Sequence, residues 1–154
     1  MSVTSVYKKC LKKGLTIAFA ESMTGGGLSY AMTKIPGASK VLIGGVVAYQ
    51  VEQKVSLLGI DPLCIETLGV VSSEVSKQMA INVSHLMKSD IGIGITGNAG
   101  PTRSDEKADL EGYVCIYMNK QPHIFHLDFK DLSREKAIKK AISYTYEQLE
   151  KLIL

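Results

Sequence analysis

Thr16-Ile17-Ala18-Phe19-Ala20-Glu21-Ser22-Met23-Thr24-Gly25-Gly26-Gly27 is the stretch on which the reading of the chain turns. It opens with an apolar and β-branched run long enough for one buried strand. Glu-Ser-Met-Thr interrupts that run, three glycines follow, and Leu28 to Ile35 reads as a helix stopped by Pro36-Gly37. The order strand, polar corner, glycines, helix puts Ser22 at the carboxyl end of a strand, beside the N–H groups of a helix N-terminus. Such donors, with the helix dipole behind them, suit a phosphate or an oxyanion. The same residues also compose an ordinary capped βα turn, because Ser and Thr are common N-caps and Gly is common in turns.

Outward from this stretch, Val3 to Lys13 has the spacing of a short amphipathic helix with Lys8, Lys9, Lys12 and Lys13 on its wet face. Val41 to Tyr49 is a second buried strand, and Gln50 to Leu58 a helix closed by Gly59. Asp61-Pro62 starts a short helix, and Ser72 or Ser73 caps a long one reaching Met87. Asp90 to Thr96 is a third strand ending at Gly97-Asn98-Ala99-Gly100-Pro101. Residues 102–111 read as a polar loop. Gly112 to Asn119 and His123 to Phe129 form a hairpin around Lys120-Gln121-Pro122, and Arg134 to Leu154 is a terminal helix. The pattern predicts one α/β domain over residues 1–154: an α/β/α sandwich with a mixed, mostly parallel sheet and a late hairpin.

Bulk composition narrows the function classes. The 154 residues carry 18 basic and 15 acidic side chains, and all the basic ones are lysines except Arg103 and Arg134. That is not the clustered, arginine-rich and aromatic stripe of a nucleic-acid surface. Three widely spaced cysteines, Cys10, Cys64 and Cys115, make neither a disulfide framework nor a zinc site. His85, His123 and His126 show no metal-ligand spacing, so no metal is expected. Lys12 and Lys13 interrupt any secretory apolar run, and no stretch is apolar enough for a membrane span. The expectation is a soluble, cytoplasmic protein without nucleic-acid or membrane partners.

Two formal motifs carry little. Ser5-Val6-Tyr7-Lys8 matches Ser-x-x-Lys but lies at a terminus without partner motifs. Gly92-x-Gly94-x-x-Gly97 matches dinucleotide-binding spacing, yet its first two glycines lie inside a strand and Pro101 with a charged loop follows where a helix is required. A Ser-His-Asp triad is not indicated either, because no histidine lies near the strand ends. A lysine kept neutral by burial can activate a serine instead. Lys54 sits one helical turn beyond the second strand, where Tyr49 ends it, so both can reach over the sheet edge that carries Ser22. The plainer alternative is a solvated helix lysine among many.

Ala20-Glu21-Ser22-x-Thr24-Gly25-Gly26, followed in order by Gly45-Val46-Val47-Ala48-Tyr49-x-x-x-x-Lys54, Leu58-Gly59-Ile60, Gly69-Val70-Val71-Ser72 and Ile95-Thr96-Gly97-Asn98-Ala99-Gly100-Pro101, resembles the CinA C-terminal-domain family, the nicotinamide-nucleotide amidohydrolases of PncC type. The likeness runs from about Leu15 to Pro101 and more weakly to the last helix. It implies a cofactor-free amidohydrolase that deamidates nicotinamide mononucleotide, a small-molecule nucleotide substrate, and it implies a homodimer. It further implies Ser22 as nucleophile with Lys54 and Tyr49 assisting proton transfer. Thr24, Gly25 and Gly26 with Thr96, Gly97, Asn98, Ala99 and Gly100 would hold substrate, and Arg134 coincides with an arginine of the relatives. The chain departs from the pattern at Met23, where relatives usually carry Cys, and through 102–112, where they carry further glycines and Lys-Pro-Val-Gly. The loop departure leaves a second expectation open, a nucleotide-binding or scaffold protein that kept the fold and lost the reaction.

Overall fold

In the computed structural model, which describes residues 2–102 and 109–154, three parallel strands and an antiparallel hairpin make one five-stranded sheet. The elements run α1 (Ser2–Lys13), β1 (Ile17–Glu21), α2 (Gly27–Thr33), β2 (Leu42–Val47), α3 (Val51–Leu58), α4 (Pro62–Leu68), α5 (Ser73–Met87), β3 (Ile91–Gly97), β4 (Glu111–Met118), β5 (Gln121–Asp128) and α6 (Arg134–Leu152). The strand order is β2-β1-β3-β4-β5. β1 is parallel to both β2 and β3, whereas β3–β4 and β4–β5 pair antiparallel. The sheet is therefore mixed, as the sequence predicts, with its parallel part on the side that bears Ser22.

Period-two alternation sorts the side chains between two helical layers. Ile17 and Phe19 of β1, with Ile91, Ile93 and Ile95 of β3, pack against Val6 and Cys10 of α1, Leu28 and Met32 of α2, and Ala141, Tyr146 and Leu149 of α6. Ala18 and Ala20 point the other way, into a smaller core with Leu58, Ile60, Val75, Met79 and Val83. The Ile-Gly-Ile-Gly-Ile run of β3 explains the asymmetry. A methyl at Gly92 would collide with the Ala80 carbonyl, and one at Gly94 would lie 2.5 Å from the Ser76 carbonyl. These glycines let α5 lie directly on the sheet, which is the packing role the false dinucleotide fingerprint conceals.

The hairpin turns one residue pair earlier than expected. Asn119 and Lys120 alone connect the strands, both at positive φ (54° and 62°), the signature of a two-residue type I′ turn. Pro122 lies inside β5 opposite Tyr117. A proline is tolerated there because β5 is an edge strand, where a missing N–H breaks no ladder bond. Among the described residues, no helix is long and apolar enough to cross a membrane.

Candidate active site

β1, β2 and β3 all run in one direction, so their carboxyl ends share an edge of the sheet, the usual ligand side of open α/β folds. At that edge lies a cleft of about 400 Å³ lined by Ser22 and Met23 after β1, Tyr49 to Glu52 and Lys54 after β2, Val70 and Val71, Thr96 to Asn98 at the end of β3, and Arg134.

Lys54 is 1% exposed. It lies in the second half of the first turn of α3, and helical side chains lean back toward the helix N-terminus. Its Nζ accordingly returns to the end of β2 and donates to the carbonyls of Ala48 (2.8 Å) and Tyr49 (2.9 Å), and it lies 2.8 Å from Ser22 Oγ. Desolvation lowers its pKa from 10.5 to about 8. This geometry orients the group in both protonation states. An ammonium has three N–H donors and three acceptors around it. A neutral amine has two donors and one lone pair. With two carbonyls claiming the two donors, the lone pair faces Ser22 Oγ. A proton can pass directly between Ser22 Oγ and Lys54 Nζ in this arrangement.

The turn after β1 is built around Glu21, a residue to which the sequence reading gave no role. Its carboxylate is fully buried and accepts four hydrogen bonds. Oε1 takes Thr24 Oγ1 (2.7 Å) and the Leu28 amide (2.8 Å); Oε2 takes the Ser29 amide (3.0 Å) and Ser29 Oγ (2.7 Å). Gly25 and Gly26, at φ of 58° and 97°, reverse the chain over it in a conformation that side chains resist. A carboxylate ending an otherwise apolar strand is the signal that marks Glu21.

The remaining expected residues divide. Ser22, Tyr49, Lys54, Thr96, Gly97, Asn98 and Arg134 all line the cleft. Thr24, Gly25 and Gly26 do not: the Thr24 hydroxyl and the Leu28 and Ser29 amides are turned to Glu21, and of this turn only Ser22 and Met23 line the cleft. Ala99 is buried in the larger core, and Gly100 serves through its carbonyl, which accepts from Arg134 at 2.7 Å. Tyr49 is 53% exposed, and its phenol oxygen accepts from Arg134 (2.7 Å); its carbonyl, not its hydroxyl, touches Lys54. Thr96 Oγ1 donates to the Val70 carbonyl (2.9 Å), which ties β3 to the Val70–Val71 wall. Asn98 lines the cleft, and its Oδ1 accepts the Gly100 amide (3.0 Å). Arg103 lies outside the described residues. Among the described residues no group of His, Cys, Asp and Glu converges on a metal-sized position. Burial pushes the Cys10 and Cys115 thiols up to about 11 and 12, which leaves both inert as nucleophiles.

Comparison with known proteins places this site in a family. The family model described as CinA C-terminal domain matches residues 2–153. The chain belongs to the CinA C-terminal domain family. A CinA-like protein of Picosynechococcus sp. is 44% identical over 111 residues, 71% of this chain and 26% of the relative. A CinA-like protein of Flavobacterium psychrophilum is 37% identical over 148 residues, 96% of this chain and 35% of the relative. This CinA-type chain thus spans about a third or less of the length of these relatives. Its fold is that of competence damage-inducible protein A from Klebsiella pneumoniae, with a TM-score of 0.95 at 22% identity over 99% of this chain and 94% of that one. The competence or damage-inducible protein of Enterobacter asburiae has the same fold, at a TM-score of 0.95 and 24% identity over 99% of this chain and 96% of that one.

Proposed function

We propose that this CinA-type chain is an amidohydrolase in which Ser22 attacks a carboxamide carbon and Lys54 is the base. The observation that carries the reading is the buried Lys54 Nζ, 2.8 Å from Ser22 Oγ with its other two positions fixed by main-chain carbonyls. With a pKa near 8, about a tenth of Lys54 is neutral at pH 7, against well under a thousandth for an ordinary lysine. Neutral Lys54 takes the hydroxyl proton as the Ser22 oxygen bonds to the carbonyl carbon. The resulting ammonium then hands that proton to the departing ammonia, leaving an ester on Ser22. Water enters by the same route in reverse: Lys54 deprotonates it, and the carboxylate product leaves as Ser22 regains its proton. The Asn98 NH₂ and the Met23 amide, which follows the nucleophile directly, are the donors offered to the oxyanion.

The resemblance in motif supplies the substrate: the carboxamide of nicotinamide mononucleotide, converted to the acid mononucleotide and ammonia. The cleft supports this in two ways. Val70 and Val71 give it an apolar wall, and Arg134, held by Gly100 and Tyr49 with further guanidinium N–H groups to spare, brings a planar cation to its mouth. The test is ammonia release from the mononucleotide by purified protein without added metal. Turnover that is lost in Ser22→Ala is the expected result. Tight binding of the mononucleotide with no turnover would instead make the chain a nucleotide-binding protein on this fold, and a wild-type rate in Ser22→Ala would end the serine mechanism.

A further inference from the structure

Glu21 stands between the two halves of the proposed pair. Ser22 is the next residue in the chain, and its carbonyl is held in the turn by the Gly25 amide at 3.0 Å. The Glu21 side chain secures that turn at three points, Thr24, Leu28 and Ser29. The Glu21 carbonyl accepts the Ala48 amide at 2.8 Å, and the Ala48 carbonyl in turn accepts from Lys54 Nζ at 2.8 Å. One residue therefore fixes the nucleophile through its side chain and the acceptor of the base through its main chain. Below the turn, Tyr146 Oη donates to the Leu28 carbonyl at 2.6 Å, so α2 is gripped from both sides.

We propose that Glu21 is the positioning residue of the Ser22–Lys54 pair, its buried carboxylate setting the βα turn so that Ser22 Oγ stays within hydrogen-bond reach of Lys54. The inference rests on the serine–lysine reading above, but not on the identity of the substrate. Its chemistry requires an acceptor at both side-chain oxygens. Each carboxylate oxygen receives one main-chain N–H, from Leu28 or from Ser29, and such a donor cannot reverse. In Glu21→Gln, either orientation of the amide sets an NH₂ against one of these N–H groups. The side chain keeps its volume and the turn must still shift. A displacement on the scale of an ångström costs a near-attack geometry about 100-fold in rate. It also admits water around Lys54, which restores part of the solvation that burial removed and moves its titration toward that of an ordinary lysine.

The experiment measures phosphonylation of Ser22 by a fluorophosphonate as a function of pH, with the fraction folded measured in parallel. In that reaction the Ser22 oxygen bonds to phosphorus, fluoride leaves, and Lys54 takes the proton, so nucleophile activation is read without the natural substrate. Glu21→Gln should label about 100-fold more slowly per folded molecule, with its pH limb displaced upward. Tyr49, Glu52 and Arg134, the other titratable groups lining the cleft, are unchanged between the proteins. Loss of the Glu21 carboxylate alone would move the limb downward, so an upward displacement reports water reaching Lys54. Ser29→Ala, which removes one hydroxyl donor to Glu21 outside the cleft, should slow labelling roughly five-fold with a smaller displacement in the same direction. A purely structural Glu21 would lower the folded fraction and leave both the rate per folded molecule and the limb unmoved, which would overturn the proposal. If Glu21→Gln does not fold, a wild-type rate and limb in Ser29→Ala overturn it equally. Wild-type protein that resists labelling would remove the serine–lysine reading and this inference with it. Labelled protein that releases no ammonia from the mononucleotide would remove only the substrate assignment.

Discussion

Loop 22–27 follows β1 and loop 97–100 follows β3, and both bring glycines to the same edge of the sheet. They use their donors differently. The first closes on the protein itself: the amides of Leu28 and Ser29 beyond it go to Glu21, the Gly25 and Gly27 amides go back to Ser22 and Thr24, and Ser22 and Met23 are what it shows to the cleft. The second is tied at its ends, through the Asn98 amide to Glu111 and the Gly100 amide to Asn98, and lays Gly97 and the Asn98 side chain along the cleft. A glycine-rich turn at a helix N-terminus is an anion site only if its N–H groups remain unclaimed. Here the buried Glu21 carboxylate claims the Leu28 and Ser29 amides, and under the proposed function the turn is a mount for Ser22.

The sharpest break between the loops is chemical. Removing the proposed nucleophile or the proposed base, by Ser22→Ala or Lys54→Met, should lower kcat for ammonia release by about 10⁴-fold, whereas Asn98→Ala in the open loop should lose about 10²-fold. Equal losses at all three positions would mean that the two loops do not divide the work in this way. In the wild type, kcat/KM should climb with pH through about 8, where Lys54 loses its proton, and level off above it. A flat profile from pH 6 to 9, with chemistry rate-limiting, would remove Lys54 as the base.

Lys54 also leaves a signature in stability. Its folded pKa of about 8 lies below the 10.5 of an ordinary lysine. Between those values the unfolded chain holds a proton that the folded chain releases, so stability from this group falls as pH drops from 10.5 to 8 and is constant below. The unfolding free energy of wild type minus that of Lys54→Met should therefore rise by about 3 kcal/mol between pH 7 and pH 10.5. No rise would mean that Lys54 is solvated in the folded protein.

Much of this architecture is legible in the sequence, because alternation and strong breakers specify it. The alternating Ile-Gly-Ile-Gly-Ile of β3 and the Pro36-Gly37 stop each state a local structure, and Ser72 turns out to be the cap where Ser72 or Ser73 could serve. Ser22, Lys54 and Arg134, each singled out by the family resemblance, meet in one cleft. What the sequence conceals is the partner of each donor. Thr24 looks like a ligand residue until Glu21 is seen to take its hydroxyl. Tyr49 looks like a proton relay, but its carbonyl meets Lys54 while its phenol meets Arg134. Pro122 looks like a loop residue because the edge position that tolerates it is a property of the sheet, not of the segment. Long-range pairings of this kind are set by topology, and local propensity carries no record of them.

Glycine substitutions sharpen the comparison at smaller cost. A methyl at Gly97 would collide with Met23 Sδ and lie 3.0 Å from the Glu111 carbonyl, so Gly97→Ala should destabilise by about 2 kcal/mol and close the cleft against Met23. Gly25 has open space around its would-be methyl but a φ of 58°, so Gly25→Ala should cost only about 1 kcal/mol. Denaturant midpoints at constant m-value measure both. A larger loss at Gly25 than at Gly97 would show that backbone strain, not close packing, dominates this edge.

The smallest expected effect belongs to Arg134, which reaches the cleft from α6 and not from either loop. If the substrate is the proposed mononucleotide, the Leu28 and Ser29 amides are already taken by Glu21, and among the described residues Arg134 is the arginine that lines the cleft. Gly100 and Tyr49 hold one N–H on each terminal nitrogen of its guanidinium, at 2.7 Å apiece, so the plane is fixed while other N–H groups remain for a ligand. A lysine in its place keeps the charge and loses both the plane and the paired donors. Arg134→Lys should therefore raise KM for the mononucleotide by roughly ten-fold with kcat little changed, the loss of about one charge-assisted hydrogen bond. Hydrolysis of the nucleoside lacking the phosphate should be nearly unaffected. Equal losses on both substrates would show that Arg134 holds the Gly100–Tyr49 architecture and touches no phosphate. No loss on either would return anion binding to the open loop, at Gly97 and Asn98.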